Sequence, residues 1–201
     1  MLFPGIRLSI IRAFFGDLSQ RTRQVCFSEN IVAHLDAAVN RPSRGKEAQT
    51  SVRILFEETG FSLTKREVIS KQGLPICSNY GRYSGGNWEV AGYAGMFRGV
   101  KIRKYFYFLN NRFVFGEIRL GKGSDGFYRD ASDTGYQNTF EIAHQKLCES
   151  IVLRYQVNIP GCCEGFCITD QEGNSIVFSS DGQYTWARFW QSGSSEVKKS
   201  H

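Results

Sequence analysis

The stretch RGVKIRKYFYFLNNRFVFGEIRL, Arg98–Leu120, decides the fold. Apolar and aromatic residues lie on both sides of Asn110 and Asn111, and two asparagines suit the left-handed angles of a two-residue hairpin turn. Such a turn fixes which residues lie opposite each other along the two strands. The pairs predicted in this way are Phe106 with Phe115, Phe108 with Phe113, and Lys104 with Glu117.

This register predicts that four phenylalanines share one buried face of the hairpin: Phe106, Phe108, Phe113 and Phe115. The other face would carry Tyr105, Tyr107, Leu109, Val114, Ile118 and Leu120. Because both faces are apolar, we expect central strands of a sheet that helices cover on one side.

Further helices are predicted on both sides of the hairpin. The spacing of apolar residues predicts helices within residues 1–46, at 48–58 and at 137–155. Gly60, in a left-handed conformation, would end the helix at 48–58. Thr64 and Glu67 form a capping box, which predicts a short helix that ends at Gly73. Strands are predicted from residue 76 onward and, as a meander, at 165–169, 175–179 and 184–190.

These patterns predict an α+β protein, with an antiparallel sheet and helices packed on one face. Residues 1–46 would form an N-terminal helical segment, 47–191 an α+β domain and 192–201 a polar tail. A helix followed by antiparallel strands occurs twice, at 47–121 and at 136–191. This order indicates two divergent units.

The composition is that of an ordinary globular chain. Its 201 residues are 41% hydrophobic and 22% charged, which is far from the range of disordered proteins. No apolar run reaches the roughly 18 residues needed to span a bilayer, and Arg7 and Arg12 interrupt the apolar start. We therefore expect a cytoplasmic protein whose six cysteines are reduced. The alternative is organelle targeting through an arginine-rich N-terminal helix.

Charge is unevenly distributed along the chain. Residues 98–122 hold seven basic residues and one acidic residue, whereas residues 123–190 hold four basic and nine acidic residues. Such a basic strand pair with tyrosines is typical of a surface that contacts a nucleic-acid backbone and stacks on bases. The candidate binding residues are Arg98, Lys101, Arg103, Lys104, Tyr105, Tyr107, Arg112 and Arg119. Two halves that neutralise each other in the fold would explain the same pattern.

Four residues form a weak candidate for a metal-binding site: His144, Cys148, Cys163 and Cys167. Histidine and cysteine thiolate are the ligands that tetrahedral zinc prefers, and His144 and Cys148 lie one helical turn apart. Their spacing matches no standard zinc module, however, and cysteine is often simply buried. We therefore expect no metal and no cofactor, with a disulfide within the cluster Cys162, Cys163 and Cys167 as another alternative. No catalytic residues are predicted.

Three segments carry a resemblance to known proteins: TGFSLTKREVISKQGLP, YFLNNRF, and RYQVNIP followed by ITDQEGNSIVFSS. In their pattern, residues 60–191 resemble small bacterial proteins of the β-lactamase-inhibitor-like and outer-membrane-assembly-lipoprotein-like kind. The resemblance implies a protein-binding scaffold with a concave sheet and without catalytic residues.

The sequence thus favours a non-catalytic scaffold that binds a macromolecule, as a protein-interaction or inhibitor-like module. The alternative is a nucleic-acid-binding protein that uses the basic hairpin 98–122. No enzymatic activity is expected, and the partner predicted first is another protein.

Overall fold

An eight-stranded sheet forms the centre of the computed structural model, which describes residues 47–83, 86–98, 100–121, 134–159, 165–180 and 184–193. The strands are β1 (Glu47–Gln49), β2 (Cys77–Tyr83), β3 (Gly86–Phe97), β4 (Val100–Leu109), β5 (Arg112–Gly121), β6 (Cys167–Thr169), β7 (Ser175–Ser180) and β8 (Tyr184–Trp190). The described residues also form two helices, α1 (Lys65–Gln72) and α2 (Thr134–Arg154).

The strand order across the sheet is β1-β6-β7-β8-β5-β4-β3-β2. All neighbours are antiparallel except β1 and β6, which are parallel. The predicted antiparallel sheet is therefore confirmed in the main, although the sheet is mixed and outweighs the helices. The division into two divergent units stays a prediction, and the predicted segment 1–46 lies outside the described residues.

The central hairpin has the predicted turn and a different register. Asn110 and Asn111 have φ angles of 49° and 63°, as a type I′ turn requires. Phe108 pairs with Phe113 as predicted, but a β-bulge between Tyr107 and Phe108 shifts every pair farther from the turn by one residue. The predicted pairs of Phe106 with Phe115 and of Lys104 with Glu117 are therefore wrong.

The bulge changes which side chains share a face, because successive side chains of a strand point to opposite faces. Phe106, Phe108 and Phe113 lie in one hydrophobic cluster together with Ile118 and Leu120, and this side is called the first face. Phe115 lies in another cluster, with Tyr105 and Tyr107, on what is called the second face. The prediction that all four phenylalanines share a face is wrong for Phe115.

One row of side chains on the first face crosses the whole sheet. It comprises Ser78, Ala91, Phe106, Gly116, Phe189, Ile176, Ile168 and Ala48. Gly116 leaves a gap in this row, and the ring of Phe56 fills it. The Phe56 ring centroid lies 4.6 Å from that of Phe106 and 5.1 Å from that of Phe189. Aromatic packing thus fastens the segment that follows β1 to the centre of the sheet.

Both helices contribute buried side chains to the first face. Val68 of α1 and Ala143, Leu147, Cys148 and Ile151 of α2 belong to the same hydrophobic cluster as the sheet phenylalanines. The predicted capping box is present at α1, where Thr64 and Glu67 bond to each other's backbone and Gly73 follows with a φ of 83°. The Lys65 Nζ lies 2.5 Å from the Glu89 Oε2 and ties α1 to β3.

The helix predicted at 48–58 does not form. Residues 47–49 are strand β1, and Glu57 and Glu58 have φ angles of 49° and 59°, which a right-handed helix excludes. Gly60 is not among the residues with positive φ, so its predicted role as a helix-ending residue is also wrong.

Distant side chains bind the backbone of this segment in place of helical hydrogen bonds. The Ile54 amide donates to the Asp170 carboxylate at 2.8 Å. The Tyr155 hydroxyl accepts from the Leu55 amide at 3.3 Å and donates to the Leu55 carbonyl at 2.9 Å. The buried backbone groups are therefore satisfied without a helix.

We expect Gly116→Ala to destabilise the fold by about 2 kcal/mol, because overpacking a filled core forces side chains and backbone to move. A Cβ at residue 116 would lie 2.4–2.7 Å from three ring carbons of Phe56. The measurement is urea unfolding. Gly95→Ala is the matched control on β3, since its Cβ would meet Ile102 at an ordinary 3.5 Å. Equal stabilities of the two variants would contradict this packing.

Candidate interaction surface

The tyrosines of the predicted nucleic-acid surface are buried in the second face. Tyr105 and Tyr107 are only 5% and 3% exposed. The Tyr107 ring packs on Phe115 at a centroid distance of 4.9 Å, and Phe115 packs on Trp190 at 4.4 Å. In this arrangement neither tyrosine offers a ring face on which a base could stack.

The basic residues predicted to accompany them do not form one surface. Lys104 lies on the first-face side and pairs with Glu57, while Arg119 is buried on the second face. Arg112 is exposed and donates from its Nη1 to the Ser62 carbonyl at 3.1 Å. Arg98 lies in the exposed β3–β4 turn. Arg103 is half-buried, and its Nη1 lies 3.4 Å from the Tyr105 hydroxyl. Lys101 is on β4, and its side chain is not among those that the structure describes.

A buried charge cluster lies at the centre of the second face. Glu117, 2% exposed, accepts from the Arg119 Nη2 at 2.9 Å and from the Arg188 Nε at 2.9 Å. Arg119 lies over the Tyr105 ring and Arg188 over the Trp186 ring, with guanidinium-to-centroid distances of 5.3 Å and 4.9 Å. Buried charges are tolerated when they are paired and hydrogen-bonded in this way.

Sequence reasoning missed this cluster because it placed Glu117 on the wrong face. The bulge sets Glu117 opposite Tyr105 on one side and Arg188 on the other. Glu117 and Arg119, two positions apart in a strand that is otherwise apolar after Arg112, were the available signal, since charges in such positions need partners.

The sheet separates the members of the predicted metal set. The Cys148 Sγ lies 3.5 Å from the His144 Nε2 on α2, and Cys148 belongs to the first-face cluster. Cys167 belongs to the second-face cluster, and Cys163 lies outside the described residues. Within the part of the chain that the structure describes, no three metal-ligating side chains converge.

Cys77 corrects the expectation that all thiols are reduced, since it is disulfide-bonded. It lies on β2 opposite Gly92, where a Cβ would come within 2.4 Å of the Cys77 Sγ. The glycine therefore makes room for the sulfur at the border of the sheet.

The most concentrated exposed apolar group of the described residues lies on the border strand β2 and in the short segment that leads into it. Leu74 and Tyr80 are 86% and 83% exposed, and Ile76 is 40% exposed. Ser78 and Tyr80 point to the same side of β2, whereas Ile76 precedes the strand and its amide donates to the Gly92 carbonyl at 2.9 Å. Leu74, Ile76 and Tyr80 together are called the edge patch. Sequence reasoning placed a strand here without predicting that it would lie at the border.

Glu117→Gln should destabilise the protein by about 3–5 kcal/mol, because it leaves two buried guanidinium groups without their shared carboxylate. The unfolding free energy in urea is the measurement. Glu149→Gln removes an exposed carboxylate that pairs with Lys146 at 2.5 Å, and it should leave the stability nearly unchanged because exposed ion pairs contribute little. A loss for Glu117→Gln as small as that of the control would show that the cluster does not support the fold.

Three comparisons of this chain with known proteins found no match. No family model matches the sequence, and neither a curated protein nor a solved structure with significant similarity was found. The predicted resemblance to inhibitor-like and assembly-lipoprotein-like scaffolds is thus neither supported nor opposed. Among the described residues, neither helix is long and apolar enough to cross a membrane.

Proposed function

We propose that the protein is a non-catalytic protein-binding module that holds its partner at the edge patch. The observation that carries this proposal is the exposure of Tyr80 on the border strand of a large sheet and of Leu74 and Ile76 in the segment just before it. Burying such side chains against a partner is favourable by about 25 cal/mol for each Å² of apolar surface. Large exposed side chains that cluster in this way mark interaction sites.

The character of β2 supports the same proposal. Border strands usually carry prolines or inward-pointing charges that block pairing with other chains. The sequence of β2, CSNYGRY, has no proline, and its one charged residue, Arg82, is near the end. Tyrosine, which stands at its centre, is enriched at protein interfaces.

Other exposed apolar residues are scattered by comparison. Met96 lies near the far end of β3, and Ile142 and Leu153 lie eleven positions apart on α2. Single apolar side chains on a surface are ordinary. The edge patch is therefore the position at which the described surface best fits a protein partner.

Nucleic-acid binding by the hairpin 98–122 remains the second candidate, with less to support it. Its tyrosines would have to leave the second face before they could stack on bases. Arg119 would have to leave the Glu117 carboxylate before it could contact a phosphate.

The disulfide at Cys77 favours an oxidising compartment over the predicted cytoplasm. Disulfides persist in such compartments and are rare where thiols are kept reduced. Alkylation of the protein from its native cells under denaturing conditions, followed by mass spectrometry, tests this part of the proposal. A Cys77 that is alkylated only after a reductant is added supports oxidising surroundings, whereas alkylation without a reductant contradicts them.

The binding proposal is tested with a triple variant, Leu74→Ser, Ile76→Ser and Tyr80→Ser. Partners captured from nuclease-treated native extract by the wild-type chain should be lost from this variant, and purified partners should bind it at least about tenfold more weakly. The control variant Met96→Ser, Ile142→Ser and Leu153→Ser also removes three exposed apolar side chains and should retain the partners. Thermal unfolding shows that both variants are folded.

Retention by the edge-patch variant with loss from the control would contradict the proposal. Loss of all captured material on nuclease treatment would favour the nucleic-acid candidate instead.

A further inference from the structure

The backbone of β2 points alternately toward β3 and away from it. Tyr83 and Gly86 are paired across a two-residue connection, and the residues that flank such a connection form a hydrogen-bonded pair. Because hydrogen-bonded and non-hydrogen-bonded pairs alternate in an antiparallel ladder, every second residue of β2 from Tyr83 backward bonds to β3. The residues between them, Ser78, Tyr80 and Arg82, direct their amide and carbonyl groups away from the sheet. The Tyr80 amide confirms this direction, because it donates to the Asn79 Oδ1 at 2.8 Å and not to β3.

We propose that the partner binds by strand addition, in which an extended acidic and apolar segment pairs with the outer edge of β2 as a further strand. This inference rests on the proposed function and specifies how the edge patch is used. Main-chain hydrogen bonds to Ser78, Tyr80 and Arg82 supply affinity, and an apolar side chain of the partner packs on the exposed Tyr80 ring.

Charge selects an acidic segment. Exposed charges on α1 are Arg66, Lys71 and Glu67, of which Glu67 is held by Thr64 in the capping box, and the chain continues from α1 directly into Leu74 and Ile76. The whole chain has a formal charge of +6. A second copy of this chain would bring two basic surfaces together, whereas an acidic segment would be attracted and steered to the edge.

Asn79 regulates access to this edge. The Asn79 Oδ1 accepts a hydrogen bond from the Tyr80 amide, which is the one outward-pointing amide of β2 for which the structure shows an acceptor. An incoming carbonyl must displace the Asn79 Oδ1 before it can accept from Tyr80, because a local side-chain contact competes with strand pairing. Asn79 therefore keeps the Tyr80 amide satisfied in the unbound protein and weakens the binding of any strand.

The experiment uses the full chain and a seven-residue peptide, acetyl-EVEVEVE-amide, with acetyl-KVKVKVK-amide as the charge-reversed control. Nuclear magnetic resonance measures peptide affinity and the amide exchange of β2. At saturation with the acidic peptide, the amides of Ser78, Tyr80 and Arg82 should exchange at least about tenfold more slowly. The basic peptide should bind at least about tenfold more weakly.

Asn79→Ala is the decisive variant, because it removes the competing acceptor and retains the backbone of the strand. It should bind the acidic peptide about fivefold more tightly, which corresponds to one net hydrogen bond. Unchanged or weaker binding by Asn79→Ala would overturn its proposed role at the edge.

The outcomes separate the two proposals. Shifts of Leu74, Ile76 and Tyr80 without slower exchange of the three outward amides would overturn strand addition and leave the edge patch as a binding site. Failure of both peptides to bind would also overturn strand addition. The proposed function itself is decided by the triple variants, since it fails when the edge-patch variant retains the captured partners.

Discussion

The β-bulge between Tyr107 and Phe108 is the constraint on which the rest of the structure depends. It places Gly116, rather than Phe115, beside Phe106 on the first face. Only a residue without a side chain leaves room there for the Phe56 ring, whose carbons lie within 2.7 Å of a notional Cβ. The same shift turns Glu117 toward the second face, where Arg119 and Arg188 bind its carboxylate. One extra residue in β5 thereby determines both the packing of one face and the charge pairing of the other.

Local signals in the sequence predicted the parts of the fold that depend on neighbouring residues. The Asn110–Asn111 turn, the capping box at Thr64 and the C-terminal meander are confirmed, because each is fixed by the chemistry of a few adjacent side chains. The segment after β1 was predicted wrongly as a helix. Its conformation depends on Tyr155 and Asp170, which are about a hundred residues away in the chain, and spacing within a segment carries no information about such partners.

The candidate site illustrates the same limit. Composition predicted the basic hairpin as a binding surface, which stays a prediction, and a one-residue register error was enough to exchange the faces of Phe115 and Glu117. Strand order was not predictable either, because position at the border of the sheet follows from long-range pairing. The apolar residues around β2 acquired a functional interpretation only when β2 was found beside β3 alone among the described strands.

The partition of side chains between two buried faces and one exposed border explains why the border is the proposed binding position. The Glu117, Arg119 and Arg188 side chains of the second face are engaged with one another, and the first face is filled by Phe56 and the helices. This account depends on the bulged register, which the cross-strand Hα–Hα nuclear Overhauser effects of the hairpin test directly. Closely spaced pairs in the antiparallel ladder should give contacts of Phe106 with Gly116 and of Lys104 with Ile118. Contacts of Phe106 with Phe115 and of Lys104 with Glu117 would instead contradict it.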